Sequence, residues 1–176
     1  MVKIDHEMCE ETLLVSANLI CTAARTAPKG KGKDLLKTII VTGEEKLKIA
    51  DKMRDIALRE GLKFFSRDAE NVDNVPVLVL LGTRESPLGL PNCGYCGFKD
   101  CDSLKAAGGM CAFNSGDLGI ALGSAVSRAA DLRIDNRILF SAGKAAVELG
   151  MLGNDIRVAY AIPLSVTGKN PFFDRK

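Results

Sequence analysis

The chain of 176 residues contains little of what several functional classes need: it has no tryptophan, two tyrosines and one histidine. A single histidine excludes a metal site built from several histidines and argues against a histidine-based catalytic triad. Single-strand nucleic-acid binders offer aromatic rings for base stacking, and aromatics make up only 5% of this chain. A formal net charge of +2 gives no electrostatic reason to expect a nucleic-acid partner.

Long apolar runs are also missing. The longest, residues 75–81, falls far short of the roughly 20 residues that cross a bilayer. The first ten residues are rich in charge and do not match a secretory signal. These features predict a soluble, cytoplasmic protein with no membrane partner. In a reducing compartment its six cysteines are not expected to form disulfides.

Size and composition are those of one globular domain. The chain is 47% hydrophobic and 26% charged, which excludes intrinsic disorder as its main description. A chain of this length buries roughly two thirds of the surface that its unfolded form exposes, so it needs no disulfides to fold. We predict one domain over residues 1–176, with a cysteine-rich, cluster-binding segment at 82–115 inside it.

Hydrophobic periodicity predicts a mixed α and β chain. The expected helices cover residues 7–24, 43–60, 115–132 and 141–149. The expected strands cover residues 35–41, 75–81 and 157–164. The unbroken apolar run at 75–81 is typical of a strand that is covered on both faces. Thr42 with Glu45 predicts a capping box for the second helix, Gly61 its end, and Ser115 the N-cap of the third helix.

Four cysteines form the sharpest pattern in the sequence. Cys93, Cys96, Cys101 and Cys111 follow the spacing C-x2-C-x4-C-x9-C, with glycines beside them. Glycines let the backbone wrap a metal and bring N–H groups close to sulfur. The plain alternative is four reduced cysteines in a loop, but clustered thiols are a chemical liability unless they are ligated. The pattern therefore predicts a metal centre.

The choice of metal rests on the spacing. A tetrahedral zinc site and a [4Fe-4S] cluster both take four cysteines. Structural zinc sites more often repeat the C-x2-C pair, whereas one pair here is followed by two single cysteines, which favours [4Fe-4S]. The alternative is a non-enzymatic binding module stapled by zinc. Cys9 and Cys21 lie about 120° apart on the first helix and are interpreted as packing residues.

A basic loop follows the first helix. Residues 25–33 contain Arg25, Lys29, Lys31 and Lys33 around a proline and two glycines. Two interpretations stay open: a phosphate site formed by cations and backbone amides, or a solvated run of charge. The loop is not a Walker A motif, because Asp34 follows Lys33 where a serine or threonine is required.

The third helix carries small residues on one side. Gly119, Gly123 and Ser127 recur every four residues, although each glycine in a helix costs about 1 kcal/mol relative to alanine. We therefore expect close helix packing, within the subunit or across a dimer, in preference to contact with a cofactor. Near the C-terminus, Phe172 and Phe173 stand in a polar tail and predict docking onto another surface, such as a partner subunit.

Four segments resemble a family of bacterial and archaeal proteins that contain a ferredoxin domain. They read ARTAPK (residues 24–29), CGYCG (93–97), DLGIALGSA (117–125) and GKNPFFDR (168–175). The resemblance spans nearly the whole chain. It implies an iron-sulfur cluster and names no reaction.

A second, more distant resemblance is to the FMN-dependent nitroreductase fold. It implies a homodimer of α+β fold, with a sheet flanked by helices and the cysteine-rich loop as an insertion. In that fold an N-terminal basic loop and a C-terminal basic residue hold the FMN phosphate; the matching residues here are Arg25, Lys29, and Lys169 or Arg175. The usual Arg-x-Ser-x-Arg opening is replaced by the sequence RTAPK.

Together these features predict a redox protein with a [4Fe-4S] cluster and FMN. It would transfer electrons to a redox partner or reduce a small molecule.

Overall fold

A four-stranded antiparallel sheet lies between two layers of helices in the computed structural model, which describes residues 2 and 4–173. The strands are β1 (Leu36–Thr42), β2 (Val77–Arg84), β3 (Asp135–Asn136) and β4 (Ile156–Ser165), in the order β1-β2-β4-β3. The helices are α1 (Asp5–Thr26), α2 (Gly43–Glu60), α3 (Lys63–Asp73), α4 (Cys101–Ala106), α5 (Ala112–Asp131) and α6 (Phe140–Glu148). The protein therefore has the α+β architecture expected from the sequence.

Strand β2 lies inside the sheet and contributes side chains to two hydrophobic cores, one on each face. Val79 and Leu81 pack with α1 and α5 on one face, while Leu78 and Leu80 pack with α2, α3 and α6 on the other. This division follows from the alternation of side chains along a strand. All four side chains are fully buried. The prediction that the apolar run forms a strand covered on both faces is confirmed.

The observed helices show which local sequence signals are sufficient to predict a helix and its ends. Helix α2 spans Gly43–Glu60 as predicted, and Gly61 ends it in a left-handed conformation with φ 69°. Helix α3 was not predicted, although Phe65, Ala69 and Val72 recur at helical spacing and are all buried. That spacing was the available signal for α3.

Thr42 is the N-cap of α2 as predicted, but the predicted capping box does not form, and the predicted N-cap Ser115 is wrong. Thr42 ends β1, where it pairs with Val77, and its side chain caps nothing; Glu45 instead accepts a hydrogen bond from Lys48. Helix α5 begins at Ala112, with Cys111 as its N-cap, so Ser115 lies inside the helix on an exposed face. The extra turn forms because the side chain of Asn114 is buried against the cysteine-rich segment, which a local capping pattern does not reveal.

Helices α1, α2 and α5 are long, with 22, 18 and 20 residues. Within residues 2 and 4–173, no helix combines the length and the apolar character that crossing a bilayer requires.

Helix α6 approaches β4 so closely that it needs a glycine. A Cβ atom built on Gly143 would lie 2.1 Å from the carbonyl oxygen of Ala159. The obstructing atom belongs to the backbone of a buried strand, so it cannot rotate away. Only a residue without a side chain fits this contact.

We expect Gly143→Ala to lower the free energy of unfolding by about 1–3 kcal/mol, because the added methyl group overpacks the contact between α6 and β4. Urea denaturation followed by circular dichroism measures this change. The matched control is Gly168→Ala, since a Cβ atom built on Gly168 would meet nothing within 4 Å; it should change stability by less than about 0.5 kcal/mol. Equal effects of the two substitutions would contradict the packing argument.

Candidate metal centre and adjacent pocket

All four clustered cysteines line one cavity of about 100 Å³. Cys93 and Cys96 lie in the loop between β2 and α4, Cys101 is the first residue of α4, and Cys111 is the N-cap of α5. Cys111 is buried and the other three are partly exposed. The fold thus brings together the thiols that the sequence singled out.

The turns around these cysteines depend on glycine. Gly94, Gly97 and Gly108 have φ values of 62°, 82° and 64°, in the left-handed region. The N–H of Gly97 donates to the carbonyl of Gly94 at 2.9 Å, which closes a turn around Cys96. The segment therefore folds back on itself between its first two cysteines.

The donor atoms fit a metal centre by type. Four thiols are the ligand set of a [4Fe-4S] cluster and of a tetrahedral zinc site. Across residues 2 and 4–173, no three histidine, cysteine, aspartate or glutamate side chains are arranged to hold a metal ion. The thiols share a cavity without converging on one point, so binding a centre requires their side chains to turn inward.

Asn114 joins the two ends of the cysteine-rich segment. Its side chain is 0% exposed, and its Oδ1 accepts a hydrogen bond from the N–H of Ser86 at 3.0 Å. Its Nδ2 has no hydrogen-bond partner. Sequence reasoning missed this residue, because a polar residue in the first turn of a helix usually faces solvent.

A second pocket, of about 440 Å³, adjoins the cysteine cavity. Tyr95 and Phe113 line both cavities, and their rings are stacked with centroids 5.7 Å apart and planes 5° apart. The other lining residues are Pro28, Lys29, Gly30, Ala112, Gly116, Asp117 and Ile120. Residues of the basic loop and of the cysteine-rich segment thus line the same pocket, and the stacked rings separate this pocket from the cysteine cavity.

Asp117 fixes the basic loop against α5. Its carboxylate is buried, and both oxygens accept the N–H of Gly30 at 3.1 Å. Gly30 is itself enclosed, since a Cβ built on it would lie 2.4 Å from Cδ1 of Leu88. The sequence alone places Asp117 early in the helix and gives it no role.

Arg25 and Lys29, the two loop residues predicted to hold the FMN phosphate, bind groups of the protein itself. Arg25 donates to the carboxylate of Asp34 at 2.7 Å and to the carbonyl of Leu36 at 2.9 Å. Burial acts to raise the pKa of Asp34, but hydrogen bonds from Arg25 and from the N–H of Leu36 hold it below its ordinary value. The Nζ atom of Lys29 donates to the carbonyls of Arg25 and Ala27 at 2.6 and 2.7 Å. Both cations stabilise the end of α1.

The predicted C-terminal cations are placed differently. Lys169 lies in the exposed tail, where its carbonyl accepts the hydroxyl of Thr167 at 2.6 Å. Arg175 lies outside the described residues. Phe172 is buried on its own chain, and its carbonyl accepts a hydrogen bond from Arg137 at 2.9 Å. The docking expected of this ring therefore takes place within the protomer.

The remaining cysteines lie on α1. Cys21 packs against the core between α1 and α5, as predicted, and burial raises the pKa of its thiol. Cys9 is partly exposed, and its thiol donates to Asp5 at 3.9 Å. Neither residue lines the cysteine cavity.

Among the described residues, no other helix packs against the two glycines of the small-residue stripe on α5. A Cβ atom built on Gly119 or Gly123 would meet nothing within 4 Å among the described residues. Packing of α5 against α1 uses another side of the helix, where the hydroxyl of Ser124 donates to the carbonyl of Ala23 at 2.8 Å. We expected this stripe to pack closely within the subunit or across a dimer, and among the described residues Gly119 and Gly123 show no such packing within the subunit.

Comparison with known proteins gives a relative over the full length. A protein from Archaeoglobus fulgidus, described as "Uncharacterized protein", is 42% identical over 183 residues, which cover 99% of this chain and 98% of the relative. A family model described as "Uncharacterized protein containing a ferredoxin domain (DUF2148)" matches residues 107–175. Of the four clustered cysteines, this matched region contains Cys111.

Solved structures share the fold at low identity. A nitroreductase family protein from Clostridium novyi NT has a TM-score of 0.57 and 20% identity, covering 94% of this chain and 77% of its own. A BluB-like flavoprotein from Clostridium difficile 630 has a TM-score of 0.59 and 17% identity, covering 100% and 86%. An FMN-dependent nitroreductase from Clostridium difficile R20291 has a TM-score of 0.56 and 17% identity, covering 96% and 79%.

These likenesses confirm the nitroreductase-like architecture, with the cysteine-rich segment between β2 and α5. The full-length relative and the family model agree with the resemblance read from the sequence. The chain belongs to the family of proteins that contain a ferredoxin domain.

Proposed function

We propose that this protein is a redox protein that binds a [4Fe-4S] cluster through Cys93, Cys96, Cys101 and Cys111, together with FMN. The observation that carries the proposal is that all four thiols line one cavity, which shares a stacked ring pair with a second pocket beside the basic loop. The ferredoxin-domain family and the nitroreductase-like fold support a redox function. Electrons would pass to a redox partner or to a small molecule.

The surroundings of the cysteines suit a bound metal centre. Cys111 lies at the N-terminus of the 20-residue helix α5, whose positive dipole end stabilises a negative sulfur. Leu88 is buried and forms part of the apolar lining of the cysteine cavity. A bound iron-sulfur cluster supplies one-electron transfer, at a potential set by its ligands and by hydrogen bonds to sulfur. We include a cytoplasmic location in the proposal, because reduced thiols persist in a reducing compartment.

We expect protein purified without oxygen to contain about four iron and four sulfide per chain, with a visible absorption that bleaches on reduction. Cys96→Ala should lose most of the iron, because a cavity ligand is removed. Cys9→Ala should keep it, since Cys9 lies outside the cavity. Iron, sulfide and zinc analysis provides the measurement. A colourless protein with one zinc per chain would contradict the redox proposal and support the alternative of a binding module stabilised by zinc.

FMN would occupy the second pocket, with its phosphate toward the basic loop. The pocket is mostly apolar and has stacked rings on one side, which suits a planar ring system. Arg25 is 41% exposed and has five N–H donors, so it can contact a phosphate while keeping its bond to Asp34. Lys29 lines the pocket and is the second proposed phosphate ligand. Lys169, which the resemblance also implies, does not line this pocket, and Arg175 lies outside the described residues. The shared ring pair would place this ring system next to the cluster.

Gly116→Leu tests the flavin pocket by filling it. Nothing lies within 4 Å of a Cβ built on Gly116, so the variant should fold, but its side chain enters the proposed site. We expect bound flavin to fall at least tenfold while iron content stays unchanged. Flavin released by acid is measured by fluorescence. Gly168→Leu, in the open tail, should leave the flavin content as it was. Absence of flavin from the wild-type protein would reject FMN as a cofactor.

A homodimer would cover the exposed face of α5. Gly119, Gly123 and Ser127 form a smooth stripe there, next to the half-exposed Ile120. Leu14, Val15 and Leu19 are also exposed on the neighbouring helix α1. Small residues allow two backbones to approach closely, which offsets the cost of glycine in a helix. We propose that a second copy packs on this face.

Gly119→Trp should therefore convert a dimer into a monomer. A Cβ atom built on Gly119 meets nothing within 4 Å among the described residues, so the larger side chain starts in open space on this face. Light scattering after size-exclusion chromatography gives the mass. The control Leu58→Trp alters an 87% exposed position of α2 and should leave the dimer intact. A Gly119→Trp protein that remains dimeric would place the interface elsewhere.

A further inference from the structure

One buried polar atom in the described part of the chain lacks a hydrogen-bond partner: Nδ2 of Asn114. The oxygen of the same amide accepts the N–H of Ser86. Because a backbone N–H only donates, this contact fixes the orientation of the amide: Oδ1 faces Ser86 and Nδ2 faces away from it. The unpaired donor is therefore a consequence of the observed hydrogen bond.

Leaving such a donor unpaired is costly. A buried polar group without a partner costs about 1–3 kcal/mol, and native proteins contain few of them. Apolar residues of similar size would fill the same space without this penalty. Asn114 lies near the C-terminal end of the cysteine-rich segment. This position suggests that Nδ2 gains an acceptor when the segment binds its metal centre.

The geometry of a helix start identifies that acceptor. Cys111 is the N-cap of α5 and Asn114 is the third helical residue, two positions at the start of the helix where, in a capping box, the side chain of each residue reaches the backbone of the other. Cys111 is buried, lines the cavity, and makes no capping hydrogen bond with its own side chain. A ligating thiolate accepts hydrogen bonds, and N–H donors toward cluster sulfurs tune such centres.

We propose that Nδ2 of Asn114 donates a hydrogen bond to the sulfur of Cys111 when Cys111 ligates the cluster. This inference rests on the proposed iron-sulfur site. The bond stabilises negative charge on sulfur and therefore favours the reduced cluster, which carries one more electron. Asn114 is thus a positioning residue: its oxygen holds the start of the segment at Ser86, and its nitrogen holds the last ligand.

Asn114→Leu removes the donor in a side chain of similar size. We expect the equilibrium constant for reduction to fall about tenfold, which lowers the midpoint potential by about 59 mV for one electron. Redox titration followed by electron paramagnetic resonance measures this value on the loaded fraction only, so a purely structural loss of cluster does not imitate it. Asn136→Leu is the control, since it removes a side-chain amide from β3, outside the cavity lining. An unchanged potential in Asn114→Leu would overturn the proposal.

A second measurement tests the hydrogen bond even if Asn114→Leu does not fold or does not bind the cluster. Protein labelled with ¹⁵N in the asparagine side-chain amides is studied by pulsed electron paramagnetic resonance of the reduced cluster, in the Asn92→Gly background. This background removes the asparagine amide that lines the cavity, at a position with φ 52° that glycine adopts readily. We expect a ¹⁵N coupling from Asn114.

A loaded cluster without this coupling would overturn the hydrogen bond and leave the iron-sulfur site standing. Protein without iron would instead overturn both, and metal analysis distinguishes the two results.

Discussion

The first two turns of α5 hold the candidate site together. Cys111, Asn114 and Asp117 recur every three residues from the start of this helix, and each side chain is buried. Cys111 lines the cysteine cavity, Asn114 binds the N–H of Ser86, and Asp117 binds the N–H of Gly30. Residues at this spacing share one side of a helix. One helix end therefore holds two loops, at Ser86 and at Gly30, that are distant from each other in sequence.

The sheet explains why this site lies at the periphery of the cores. Strand β2 is covered by helices on both faces, so the segment that follows it cannot enter either core. The segment leaves the sheet after Arg84 and returns at α5, held by turns and by the buried Leu104. Its fold thus depends on few apolar contacts, and a bound metal would supply the constraint that a core supplies elsewhere.

Much of this arrangement could be predicted from the sequence. Helix α2, the central strand and the four cysteines follow from periodicity, glycine placement and spacing, which are local properties of the chain. The N-cap of α5 could not be predicted, because Asn114 at the start of this helix is buried against a loop 28 residues away in sequence. The basic loop shows the same limit: charge does not reveal that Lys29 faces the carbonyls at the end of α1.

Gly30 connects the basic loop with the stretch of chain that leads to the cysteines. Its N–H is held by Asp117, and its Cα faces the side chain of Leu88, in the stretch that leads to the cysteines. The two stretches are therefore in direct contact. If a ligand that orders one stretch changes the affinity of the other stretch for its own ligand, thermodynamic linkage makes this influence equal in both directions.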